Sequence, residues 1–144
     1  MRTRGKTALG ITGTALAALM AAAVAQPAAA GDFQQDARPG THNSDHRWVC
    51  LLNTPAKSAV GCFQPYGEVF WLKDMKKDGR AIVVRWWSSS GRDGSIYSHL
   101  GKGNWGYVNK SFAESTSVTY RVCEYYSYQA VMCSDSLTVS AGME

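Results

Sequence analysis

Glu68, Glu114 and Glu124 are of the residue type that cleaves glycosidic bonds, a reaction needing two carboxyl groups roughly 5 to 9.5 Å apart. Their spacing along the chain brings no pair together. His99 follows Ser98 with Asp93 close by, but neighbours in sequence are not a triad, and no G-x-S-x-G turn exists to expose a nucleophilic serine. A solvated or core-edge histidine is the simpler reading. His42, Asp45 and His46 have spacings usable by a metal, yet they stand in a polar stretch with nothing to orient them, so only adventitious binding is expected. Asp74, Asp78 and Gly79 match positions of a calcium loop, but Lys76 and Arg85 fall where further carboxylates are needed, which excludes calcium. Gly101 to Gly106, "GKGNWG", fits G-x-G-x-x-G literally; no helical periodicity follows, so a glycine-rich β-loop is expected. No catalytic residue, metal ligand or cofactor is expected, and a small hydrolase ranks third among the functional readings.

Aromatic surface is what the chain has in excess. Its 4 Phe, 5 Trp and 7 Tyr all follow residue 30, more than a small core hides along with its aliphatic side chains. Trp105 between Gly103 and Gly106, and Tyr125, Tyr126 and Tyr128 between two cysteines, sit where the chain should turn; Trp87 closes an apolar run. These five are the candidate binding residues. Tyr and Trp can stack on sugar rings or anchor a protein partner with little loss of side-chain entropy. The competing explanation is that aromatic residues favour strands and cover the ends of a sheet. The leading reading is a non-enzymatic extracellular binding module for a polysaccharide or a protein. The alternative is a secreted inhibitor or toxin-like interaction protein.

Cys50, Cys62, Cys123 and Cys133 are even in number and spaced too widely for the close pairs of a zinc site. Two disulfides are expected. Three connectivities are open, and the short intervening segments favour Cys50 with Cys62 and Cys123 with Cys133. Disulfides call for an oxidising compartment, and the N-terminus supplies the route. Arg2, Arg4 and Lys6 precede an apolar run from Ala8 to Val24, and Ala28 to Ala30 supply small residues, the pattern of a cleaved signal peptide over residues 1–30. That run carries Gly10, Gly13 and several threonines, and falls short of the roughly 20 strongly apolar residues of a spanning helix. A secreted, extracellular protein is expected, with no membrane association after cleavage. Fifteen Lys and Arg oppose eleven Asp and Glu, but three of the basic residues lie in the leader, leaving twelve against eleven, a net +1. A near-neutral surface of mixed sign has no electrostatic footprint for nucleic acid.

Residues 31–47 are polar and proline-containing and read as a flexible lead-in to a single disulfide-stabilised β domain over 48–142. From Trp48 onward, short runs rich in Trp, Tyr, Val, Ile and Thr recur about every ten residues between Gly, Asp, Ser and Pro, with no helical period. An all-β antiparallel sandwich or barrel-like fold of eight or nine short strands is expected. In "EVFWLKDMKKDGRAIVVRWW", Asp78-Gly79 has the residues of a two-residue type I′ turn, which predicts a hairpin with Trp71 facing Trp86 and Met75 facing Ile82. Both faces of that hairpin carry apolar residues, so it must be covered on both sides or leave an aromatic group exposed. In "VCEYYSYQAVMC", Cys123 falls on the polar side of its alternation and Cys133 on the apolar side of the return run. A disulfide needs Cα atoms within about 7 Å and converging Cβ vectors, so a bulge is predicted near the tip or before Cys133.

"CFQPYGEVFWLKDMKKDGRAIVVRWW", "GKGNWGYVNKSFAESTSVTYRVCEYY" and the closing "CSDSLTVSAG" together resemble small secreted proteins of actinomycetes, over residues 48–142. The resemblance implies export and one all-β domain, and it carries no activity with it. Some members have a further cysteine pair near positions 97 and 107, where this chain has Tyr97 and Tyr107, which implies a less tethered loop here. The chain also resembles, more distantly, the tendamistat-like amylase inhibitors, secreted β-sandwiches with two disulfides. Their contiguous Trp-Arg-Tyr motif is absent, so no inhibitory residue carries over.

Overall fold

Nine strands form from Val49 onward, and two more form ahead of them. The computed structural model describes residues 34–41 and 45–142; the leader and His42 lie outside the described residues. In chain order the strands are β1 (Gln34–Asp36), β2 (Arg38–Pro39), β3 (Val49–Leu52), β4 (Ala59–Gln64), β5 (Val69–Asp74) and β6 (Ala81–Ser88). They continue with β7 (Asp93–Ser98), β8 (Trp105–Asn109), β9 (Ser117–Tyr126), β10 (Gln129–Cys133) and β11 (Leu137–Ser140). Sheet I runs β1-β7-β6-β9-β10, with β11 pairing further along β9, and sheet II runs β2-β8-β5-β4-β3. No helix occurs among the described residues.

The two sheets face each other across one core. Phe63, Phe70 and Leu72 from sheet II meet Ile82, Val84, Trp86, Ile96, Tyr120 and Val122 from sheet I, with Phe112 closing one end. Alternation then sends the other residues of each strand outward, which is why both faces of β5 and of β6 read as apolar. Val69 and Trp71 lie on the outer face of sheet II, in a separate cluster with Cys62. Val83 lies on the outer face of sheet I with Cys123 and Tyr125. At Gly61 the sheets approach closely: a Cβ there would stand 2.9 Å from Val122 Cβ and 2.9 Å from Val84 Cγ2. Gly61→Val is accordingly expected to overpack the core and cost about 1–3 kcal/mol, read as a lower urea midpoint with an unchanged slope.

The hairpin expected at Asp78-Gly79 does not form. β5 pairs with β4 and β8, whereas β6 pairs with β7 and β9, so residues 75–80 cross from one sheet to the other. Gly79 does take the left-handed conformation, φ 72°, within a longer loop in which Asp74 accepts the Lys76 amide and Asp78 the Arg80 amide. Trp71 and Trp86 therefore end on different sheets, one outward and one in the core.

The lead-in also differs from expectation. β1 pairs in parallel with β7 at the edge of sheet I, and β2 pairs with β8 at the edge of sheet II. Between them Ala37 is buried and donates its amide to Tyr97 O. These residues are ordered by backbone pairing, which polar composition does not register. β2 and β3 occupy opposite edges of sheet II, and the residues flanking their connection cover its outer face. Gly40 packs against Tyr107 and Trp71, and the Trp48 ring stacks on Trp71 at 4.7 Å.

Both disulfides form in the favoured pairing, Cys50–Cys62 and Cys123–Cys133. Each joins directly opposed residues of neighbouring strands, with Cα atoms 4.0 Å apart. The predicted bulge is present: the β9–β10 register shifts between Ala130 and Met132, and the extra residue turns Cys133 to face Cys123.

Candidate functional site

Trp87 and Tyr125 lie on the outer face of sheet I, and Tyr126 and Tyr128 gather beside them at its hairpin end. Trp87, on β6, shares the outward parity of Val83 and Arg85, and Tyr125, on β9, is the register partner of Ala81. The β9–β10 hairpin then turns through Ser127 and Tyr128, with Tyr126 paired to Gln129 on either side. Both turn residues have positive φ, 49° and 62°, the combination of a two-residue type I′ loop. Glycine and asparagine take that conformation readily; a serine followed by a tyrosine is strained there by roughly 1–2 kcal/mol per residue. The turn nevertheless sets Tyr128 in the open, 89% exposed, with Tyr126 at 63%.

The tyrosines divide two depressions that share Gln34, Tyr97, Tyr125 and Tyr128 and so form one trough. One, of about 540 Å³, continues past Arg85 to Trp87, Arg92 and Asp93. The other, of about 660 Å³, continues past Tyr126 to Asp74, Arg80, His99 and Lys102. Sequence reasoning missed Tyr97. It forms an edge-to-face pair with Tyr125 at 5.8 Å and lies parallel to His99 at 6.2 Å. The signal that would have found it is the outward alternation of Val83, Arg85 and Trp87 matched to that of Asp93, Ser95 and Tyr97, once β6 and β7 are known to pair. Burial pushes the Tyr97 hydroxyl above the usual phenol range, with Tyr125 adding to the shift and Arg85 opposing it. His99 contacts Asp36 at 3.6 Å, and both side chains are well exposed.

Beneath the hairpin, between the sheets, lies a buried acidic end. Glu124 is almost fully buried and accepts a bond from Arg80 Nη1 at 2.5 Å, while its other oxygen finds no hydrogen-bond partner among the described residues. Asp74 is raised above the ordinary carboxylate range, first by burial and then by the charges of Asp78 and Glu124, against the Lys76 amide. Glu68, the second of the three glutamates, accepts the Phe112 amide at 2.9 Å, and the third, Glu114, packs beside Gly142.

Trp105 stands elsewhere. It opens β8 opposite Lys73, on the outer face of sheet II, with Trp48 packed edge-on at 5.4 Å and the Lys73 ammonium 5.3 Å above its ring. It is half-buried in a cluster with Trp71 and Tyr107 and shares no surface with the tyrosine trough. Tyr107, like Trp105, faces out from sheet II, whereas Tyr97 faces out from sheet I. His46 stacks on Tyr66 at 3.8 Å, and no group of three or more potential metal ligands occurs among the described residues. No family model, no curated protein and no solved structure matches the chain.

Proposed function

We propose that the protein is an exported, non-enzymatic binding module that holds a polysaccharide along the tyrosine trough of sheet I. The observation that carries this is Tyr128. It is the most exposed large hydrophobic residue described, at a backbone position where glycine would be less strained, beside a trough lined by Trp87, Tyr97, Tyr125 and Tyr126. Strain kept at an exposed aromatic residue is what a recognition surface needs and a purely structural hairpin does not. Flat aromatic faces alternating with Gln, Ser, Arg and Asp suit sugars, whose rings stack while their hydroxyls take hydrogen bonds. The two disulfides are consistent with an oxidising, extracellular setting.

The test separates folding from binding. Tyr128→Gly is expected to leave stability unchanged or raise it by about 1 kcal/mol, since it relieves the left-handed tyrosine, while weakening glycan binding at least tenfold. Trp87→Ala should weaken binding and abolish most of the ligand-induced change in tryptophan fluorescence. Peptidoglycan, chitin, cellulose and starch are suitable first ligands, alongside charged glycans. A protein that ignores all of them would end the glycan reading.

A second reading, a secreted inhibitor, draws on the same tip. A disulfide-clasped hairpin projecting one rigid tyrosine has the form of a loop that enters another protein's cleft. Stoichiometric inhibition of a secreted amylase or protease, lost in Tyr128→Gly, would favour it over the glycan.

A further inference from the structure

We infer that the trough selects an anionic glycan, with its carboxylate or phosphate held by Arg85 and Arg121; the inference rests on the trough being a glycan site. The two arginines are direct register partners on β6 and β9, so their side chains leave the same outer face of sheet I. Opposed residues of neighbouring strands have Cβ atoms about 5 Å apart, and like charges so placed destabilise a sheet. Neither guanidinium makes an ion pair or hydrogen bond with another described residue, and Arg121 Nε is buried without a partner. The third residue of the row, opposite Arg85 on β7, is Ser95, a neutral hydroxyl.

The row borders the trough: Arg85 and Ser95 line it, and Arg121 flanks it one strand over on β9. Trp87 is two residues from Arg85 on one side, and Tyr97, which senses the Arg85 charge, is on the other. Five lysines and arginines line the two depressions against three aspartates, and of the five Arg80 is paired with Glu124. Planar guanidinium groups present paired N–H donors that match the two oxygens of a carboxylate or phosphate. An anion seated there would neutralise both charges, while sugar rings on either side of it would rest on Trp87 and on the tyrosines.

The test is a matched set of glycans titrated against the oxidised protein: polygalacturonate, its carboxyl-reduced neutral form, and a poly(glycerol phosphate) teichoic acid. The charged polymers should bind at least tenfold more tightly than the neutral one, with affinity falling steeply as salt rises. Carboxylate and phosphate sources are distinguished by which charged polymer binds better. Arg85→Gln, at an exposed position, should erase the preference while leaving the melting temperature unchanged or raised, because it removes a like-charge contact. Arg121→Gln should do the same by an independent substitution. If neutral and charged glycans bind alike and neither variant alters binding, the anion site is wrong and the trough remains a glycan site. If no glycan binds at all, both readings fall.

Discussion

Reducing both disulfides is expected to lower the stability of the folded protein by about 5–6 kcal/mol. The bridges close segments of 12 and 10 residues, and in the chain-entropy account each contributes about 3 kcal/mol by restricting the unfolded chain. Set against a small domain's ~5–15 kcal/mol, that is enough to leave the reduced protein barely folded. Neither bond belongs to the core between the sheets. Cys62 and Cys123 are buried against outward-facing aromatic clusters, so the sandwich interior should survive reduction structurally even as its stability falls. Urea titrations with and without reductant measure the loss, and a difference under about 1 kcal/mol would contradict the entropic account. Replacing Cys123 and Cys133 with alanine should take about half of that loss, roughly 3 kcal/mol, and most of the binding, because the turn that lifts Tyr128 then loses its clasp. Removing Cys50 and Cys62 should take a similar share of stability and leave the trough intact. The pair of variants therefore tells whether the hairpin clasp serves recognition as well as folding.

Phe70→Ala is expected to cost about 3–5 kcal/mol, the range for deleting a fully buried aromatic side chain. The ring is wholly inaccessible to solvent and packs against Phe63 at 4.8 Å, Tyr120 at 5.8 Å, Trp86 at 5.9 Å and Phe112 at 6.5 Å. Those partners come from both sheets and from the segment between β8 and β9, so the cavity would open at the junction of all three. Little can move in to fill it. Tyr120 is tethered through its hydroxyl to Val49 O, and Trp86 is held by cationic side chains over its ring. Thermal unfolding followed by tryptophan fluorescence reports the effect directly, since Trp86 is a contact of the deleted ring. Phe70→Leu, which keeps more of the volume, should lose markedly less.

The local features of this protein were legible in its residues because they depend on near neighbours. Val118, Tyr120 and Val122 alternate with period two, so β9 and its core-facing side could be read directly. The opposed parities of Cys123 and Cys133 called for one extra residue, and the bulge between Ala130 and Met132 supplies it. The short spacings of the cysteines favoured the pairing that forms.

Which strands become neighbours is a different kind of question, because sheet hydrogen bonds join backbone groups regardless of side chain. Asp78-Gly79 promised a hairpin, yet both edges of β5 are taken by β4 and β8, and its two apolar faces are served by the core and by the covered outer face of sheet II. Gln34–Asp36 and Arg38–Pro39 became edge strands through backbone pairing that their polar side chains do not announce. The same non-local choice decided the candidate site. Trp87, Tyr97, Tyr125 and Tyr128 come from four strands or turns that only the order β7-β6-β9-β10 brings to one surface, whereas the same order puts Trp105 on the other sheet. By itself the sequence determined that there would be strands, clasped by two disulfides, with more aromatic surface than one core could hide. Tertiary structure alone decided where the surplus went, because pairing is fixed by which backbones meet and not by what their side chains are.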